Sequence, residues 1–415
     1  MEKRKIFYGW WIVLGSVLVT ATMVPLVISL SSKYLVQITG EMHLTRAQFT
    51  LTNTITQGIG IFLSPFVAKK LSSKDMKKWQ SVSIFLFALA YASFSLARNV
   101  IHLYISALFV GIFFLFSALI PVSMLITNWF VVKRGVAMSI AMAGIGVGGF
   151  LFSPIVTALL ERFGWRATYR IMSLVVLCVA LPVSVFVFKR KPEDMGLTPY
   201  GAGATASGKH AVPGGRAVTL SVAESRSKSF FWILIVGMFL NGLINSGALG
   251  QFPPALEDLH GPGVQAVIIS LYSIIGIFSK LLLGWINDRW GVRASSIFGC
   301  VTFGLAFVFM LFGSNLVMVY VMGISFGLGI GIGSVSPPLI TSSVFGTEKY
   351  GEAYGFMNSA AQVGLSVGSL LTAQIYDSTG SYHAAWILLG VLTVATLLAW
   401  LGGNKQAQKY CGQPV

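Results

Sequence analysis

One lysine, Lys280, stands inside a long apolar stretch of this 415-residue chain, about five residues from the middle of that stretch. An ammonium group set in hydrocarbon costs roughly 2.5–3.5 kcal/mol on insertion scales, and more where it faces lipid. Two readings follow from its position. The stem can snorkel and carry the amine to the inner interface, or the amine can face a cavity and bind an anion. Stretch 352–376 holds a second candidate, the polar series Asn358, Gln362, Ser366 and Ser369. Spaced i, i+4, i+8 and i+11, these share one helix face. Such a stripe either lines a cavity or joins helices by hydrogen bonds. Asn241 with Asn245, and Asn53 with Gln57, repeat the four-residue spacing, and Ser117 lies in stretch 101–128. For these, interhelical bonding is the first reading and solute binding the second. Lys33, next to Tyr34, reads as a snorkelling residue at the outer interface, with an entrance cation as the alternative.

Other chemistry has no foothold. The cysteines Cys178, Cys300 and Cys411 lack metal-ligand or redox spacing, and the five histidines form no cluster. The only Asp or Glu within an expected span is Glu352, at the first position of stretch 352–376. No nucleophile, base or metal cluster assembles, so neither enzyme activity nor a cofactor is expected.

The elements that must place these residues are set by hydropathy. Hydrophobic residues make up 55% of the chain, charged residues 10%, and the mean hydropathy is +0.78. A bilayer core needs ~20 mostly apolar residues per helical span. Twelve such stretches are expected near 9–33, 47–68, 79–97, 101–128, 136–160 and 168–188, then 229–252, 265–286, 294–312, 315–340, 352–376 and 384–402. The first is too long for a signal-peptide core and lacks a clear cleavage site. The fold expected is therefore an all-α membrane protein of twelve transmembrane helices in two six-helix bundles. Its parts are an N-terminal bundle (1–188), a linker (189–228), a C-terminal bundle (229–402) and a tail (403–415).

Most of the 29 basic residues fall on one side of this arrangement, including Lys69, Lys70, Lys74, Lys77 and Lys78 in one loop. By the positive-inside rule both termini are cytoplasmic. The net charge of +16 is largely this bias, and the lipid bilayer rather than nucleic acid is the implied partner. Arg162, Arg166 and Arg170 run against the bias on the outer side and read mainly as structural.

The halves repeat. Residue numbers differ by 216 where Gly60-Ile61-Phe62 falls on Gly276-Ile277-Phe278, Gly135-x-Ala137 on Gly351-x-Ala353, Gly148 on Gly364, and Glu161-x-x-Gly164 on Asp377-x-x-Gly380. Parallel six-helix repeats place a solute site near mid-membrane, and rocking of the halves gives alternating access.

The run Gly284-Trp285-Ile286-Asn287-Asp288-Arg289-Trp290-Gly291-Val292-Arg293 resembles the loop signature of the major facilitator superfamily. Trp129-Phe130-x-x-Lys133-Arg134-Gly135-x-Ala137 is similar to the fourth-to-fifth helix segment of monocarboxylate transporters. Lys191-Pro192-Glu193-Asp194-Met195-Gly196-Leu197 resembles the loop after the sixth helix in their bacterial relatives and in oxalate–formate exchangers. The resemblance implies a secondary transporter in a bacterial cytoplasmic membrane, working as a monomer. Its substrate would be a small organic anion, lactate- or pyruvate-like, taken with protons or by exchange. Oxalate–formate exchange and export of hydrophobic compounds are the rival activities.

Lys280 falls where the relatives carry a substrate-binding arginine, four residues before Gly284. Lysine keeps the charge but not the planar fork that matches a carboxylate. Where oxalate-type exchangers have a second lysine this chain has Ala361, and a single cation suits a monoanion. Gly276 takes the position of an aspartate in proton-coupled relatives. The substrate-binding set implied is Lys280, Ser117, Asn241, Asn245, Asn358 and Gln362. The gating set is Gly284, Asp288, Arg289 and Arg293, with its charges pairing across helix ends.

Overall fold

The computed structural model describes residues 7–72, 75–202 and 217–411. Lys74, the middle of the 189–228 linker and the end of the tail lie outside them. Eight stretches are long and apolar enough to cross a membrane. Two of these each hold two helices joined at a left-handed glycine, Gly164 or Gly291. Two more helices are long but more polar, Arg46–Leu71 and Tyr350–Thr379, and together they complete the expected twelve.

In chain order the helices are α1 (Gly9–Ile28), α2 (Arg46–Leu71), α3 (Met76–Leu96), α4 (Val100–Trp129), α5 (134–163) and α6 (165–187). The second set is α7 (Ser229–Gly261), α8 (263–290), α9 (292–310), α10 (Leu316–Phe345), α11 (Tyr350–Thr379) and α12 (His383–Ala407). Polar caps begin several of them. Thr45 and Gln48 form a reciprocal capping box at α2. Asn99 accepts from the His102 N–H at α4, and Asn315 from the Val317 N–H at α10.

The chain divides into two compact units, Met1–Val132 with Ile140–Ala206, and Lys133–Ser139 with Ser207–Val415. The first turns of α5 are thus counted with the second unit. The described ends of the linker are docked on their own units. Tyr200 donates its N–H to the Trp129 carbonyl at 2.9 Å and accepts from Val131 and Val132. In the second unit Val218 donates to the Val344 carbonyl at 2.9 Å, and Lys349 Nζ donates to the Val218 carbonyl at 2.8 Å.

Element boundaries shift where backbone chemistry intervenes. The first helix ends at Ile28, five residues before the expected end at 33. Pro25 sits in its last turn, and its carbonyl accepts from both Ser29 and Leu30. A 3-10 turn, Ser31–Tyr34, and a short helix, Leu35–Met42, follow. Gly164 (φ +73°) and Gly261 (φ +79°) replace the longer loops expected between α5 and α6 and between α7 and α8. Each reverses the chain at a single residue.

The 216-residue repeat is physical. A Cβ on Gly148 would overlap the Ala21 carbonyl of α1, and one on Gly364 would overlap the Phe239 carbonyl of α7. In both units, then, the fifth helix presses its backbone on the first at an equivalent glycine. Phe62 and Phe278, another matched pair, are 79% and 66% exposed on their units. Each unit has its own aromatic centre. In the first, Tyr34 stacks on Tyr169 at 4.2 Å, and Tyr91 meets Tyr169 edge-on at 4.9 Å. In the second, Phe252 meets Phe326 at 4.9 Å and Trp386 at 5.0 Å.

Candidate functional site

Lys280 lies on α8. The strongly exposed apolar residues of that helix include Ile274, Phe278 and Leu282. Two residues along a helix turn about 200°, so Lys280 projects from the side opposite Phe278 and Leu282. It is half-buried, and its stem lies against Gly331 of α10, where a Cβ would be 3.6 Å from the lysine Cγ. The neighbouring Ser279 hydroxyl binds the Leu328 carbonyl and ties α8 to α10. Among the described residues the Lys280 amine has no hydrogen-bond or ion-pair partner. Within the described residues this leaves a cation with three open donors on a packed helix face.

The other expected binding residues separate into engaged and open groups. Asn245 Nδ2 donates to the Asn241 carbonyl at 2.8 Å and to its Oδ1 at 3.2 Å. Both asparagines are buried, and Gly333 of α10 leaves the room that the Asn245 amide needs. They form a local clamp. The Ser117 hydroxyl donates to the Phe113 carbonyl at 2.6 Å, and its own carbonyl accepts from Gln80. It is fully buried where α4 breaks at Ala118. This geometry makes Ser117 a framework residue.

The α11 stripe changes character along its length. At one end Ser369 accepts from Gln251 of α7 at 3.1 Å and its N–H donates to Ser246; this end joins helices. Asn358 and Gln362, further down, are half-buried. Gln362 Oε1 is shielded yet, among the described residues, has no hydrogen-bond donor. An unpaired buried acceptor carries a cost of about 1–3 kcal/mol, so this amide suits a group that arrives with a donor. On α2, Asn53 helps to line a small recess with Ser31, Tyr91 and Tyr169.

Two features were not legible in the spacing of polar residues. Lys33 does not lie free at the interface; its Nζ donates to Thr157 Oγ1 of α5 at 2.8 Å. Thr157 is one threonine in an apolar run, and nothing local marks it as a partner. Outside the spans, Glu41 accepts from Trp165 Nε1 at 2.5 Å and pairs with Arg166 at 3.0 Å. The Trp165 indole, followed by Arg166, holds the Glu41 carboxyl below its ordinary pKa. Arg166 also donates to the Ala97 carbonyl and Arg170 to Ser95 Oγ, which agrees with a structural reading of these arginines.

The gating set takes a different form from the expected charge pairing. Asp288 accepts from the Gly135 N–H at 2.6 Å and the Val136 N–H at 2.8 Å, capping the start of α5. A carboxylate at a helix N-terminus is stabilised by the unpaired N–H groups and the dipole. Gly284 allows the approach, because a Cβ there would overlap the Gly135 carbonyl and Ser139 Oγ. Arg289 lies over the Trp285 and Trp290 rings at 5.5 and 5.4 Å. Arg293 is exposed and makes no ion pair among the described residues. Asp288 therefore acts on backbone N–H groups, and the two arginines stand apart from it.

The chain matches the Major Facilitator Superfamily profile over residues 11–264 and 234–410. Monocarboxylate transporter 12-B of Danio rerio is 24% identical over 302 residues, 67% of this chain and 62% of that protein. Monocarboxylate transporter 13 of Bos taurus is 22% identical over 398 residues, 94% of this chain and 87% of its own. The chain spans about three fifths of the length of the first curated relatives it matches. Among solved structures, the major facilitator superfamily transporter FucP is similar with a TM-score of 0.71 at 13% identity, covering 95% of this chain and 98% of FucP. That likeness concerns the fold. With its twelve helices, its repeated units and a profile match along almost all its length, the chain belongs to the major facilitator superfamily of membrane transporters.

Proposed function

We propose that this transporter carries small organic monocarboxylates, lactate- or pyruvate-like, by alternating access across a bacterial cytoplasmic membrane, with both termini inside. The observation that carries this reading is the Lys280 amine, without a partner among the described residues and turned away from the apolar exposed face of α8. In this reading the substrate carboxylate binds Lys280, and the α11 amides of Gln362 and Asn358 orient the remainder. Asn241, Asn245 and Ser117 hold the helices in place. A bound anion neutralises the half-buried charge, which lowers the cost of withdrawing it from water when the transporter closes. The relatives named as monocarboxylate transporters support the same substrate class.

Counterflow of labelled lactate in proteoliposomes tests it. Lys280→Gln should weaken lactate binding by roughly 10- to 150-fold with the protein still folded, while Lys280→Arg should retain it. Unchanged lactate affinity in Lys280→Gln would overturn the assignment. Counterflow that ignores an imposed pH gradient indicates exchange, and uptake driven by the gradient indicates symport.

A further inference from the structure

The ends of α2, α3 and α6 gather a cluster of positive charge that the transport reading does not use. Lys69 and Lys70 close α2, Lys77 and Lys78 open α3, and Lys189 and Arg190 follow α6. Hydrogen bonds tie the segment after α6 to the end of α2 and to the end of α4. Arg190 Nη2 donates to the Ser72 carbonyl at 2.9 Å, Asn128 Nδ2 to the Arg190 carbonyl at 3.2 Å, and Trp129 Nε1 to the Lys189 carbonyl at 2.8 Å. The Lys70 amine at the end of α2 lies over the Trp79 ring of α3, which brings the start of α3, with Lys77 and Lys78, to the same end of the unit.

No carboxylate relieves them. Asp75, Glu193 and Asp194 are the acids nearest in sequence, and none forms an ion pair with Lys69, Lys77, Lys78 or Lys189 among the described residues. Trp79, exposed beside the cluster, receives Lys70 Nζ at 4.9 Å from its ring centre. Tryptophan at a helix end marks headgroup depth. Amines held at that depth without acid partners fit a phosphate diester anchored in the same layer, and each such lysine adds about fivefold to anionic-lipid affinity.

We propose that the ends of α2, α3 and α6 form a binding surface for the headgroup phosphate of an anionic phospholipid, which neutralises the positive charges gathered there. The purified full chain in neutral detergent provides the test, through its thermal unfolding midpoint. Short-chain phosphatidylglycerol should raise the midpoint, phosphatidylcholine should not, and the response should weaken as ionic strength rises. The double variant Lys77→Gln/Lys189→Gln should bind phosphatidylglycerol about thirtyfold more weakly, while its lipid-free midpoint stays level or rises. Lys69→Gln/Lys78→Gln should weaken binding similarly, and Lys77→Arg/Lys189→Arg should preserve it. Equal shifts with both lipids, or an unaltered response in both glutamine doubles, would overturn the proposal. An equal shift with inorganic phosphate at the same concentration would also overturn it, by making the cluster a site for soluble anions.

Discussion

Each unit places one lysine away from the basic loops, and the two are treated differently. Lys33 in the first unit has its amine on the Thr157 hydroxyl at 2.8 Å. Lys280 in the second has a glycine beside its stem and, among the described residues, no partner at its tip. A neutral hydroxyl takes one donor of three and leaves the charge in place, so Lys33 is positioned while Lys280 is open. The difference teaches that the charge alone does not identify a binding site. The unmet donors do, and they depend on what the neighbouring helix offers.

The largest effect that would sharpen this contrast is at Lys280. Removing a charged hydrogen-bonding partner is worth about 1.5–3 kcal/mol, so Lys280→Gln should weaken lactate binding by roughly 10- to 150-fold in equilibrium binding to the reconstituted protein. A next test asks whether the units that hold the two lysines are built alike. Gly148→Ala and Gly364→Ala each push a methyl into a carbonyl of the first helix of the unit. Each should cost about 1–3 kcal/mol in thermal unfolding, whereas Gly40→Ala, with open space around it, should not. Unequal costs would break the parallel between the units.

A smaller effect belongs to Lys33. Thr157→Val removes its acceptor and should lower stability by about 0.5–1.5 kcal/mol; an unchanged unfolding midpoint would show that the amine has another home. The smallest concerns the clamp of Glu41 with Trp165 and Arg166. Both partners of the ion pair are substantially exposed, at 52% and 36%, so its contribution lies below about 1 kcal/mol. Because the folded carboxyl has a depressed pKa, its contribution is complete above the unfolded value of about 4.3. It is lost as the pH falls through the lower folded value. Glu41→Gln should flatten that part of the stability profile and leave the rest unchanged.

The unpaired state of Lys280 came only from tertiary contacts, and so did the bond between Lys33 and Thr157. Both lysines stand out in the sequence because charge is costly in hydrocarbon. Yet an amine 124 residues from its hydroxyl leaves no periodic trace. Asp288 shows the same limit. The loop signature marks it as important, and arginines close in sequence suggest ion pairing. Its hydrogen bonds reach the N–H groups of Gly135 and Val136, more than 150 residues away, and the charge that faces it is Arg134 rather than Arg289 or Arg293.

What the chain determined by itself was the solvent it lives in, the number of spans and the repeat. Apolar length, basic bias and glycine spacing act locally, and bilayer thickness turns them directly into helices. Glycines 148 and 364 had to be small wherever two backbones meet, so the 216-residue register was already written in them. Only the folded structure decided which polar groups satisfy one another. Hydrogen bonding needs atoms within about 3 Å, and distant helices come that close only when their packing fixes their rotation.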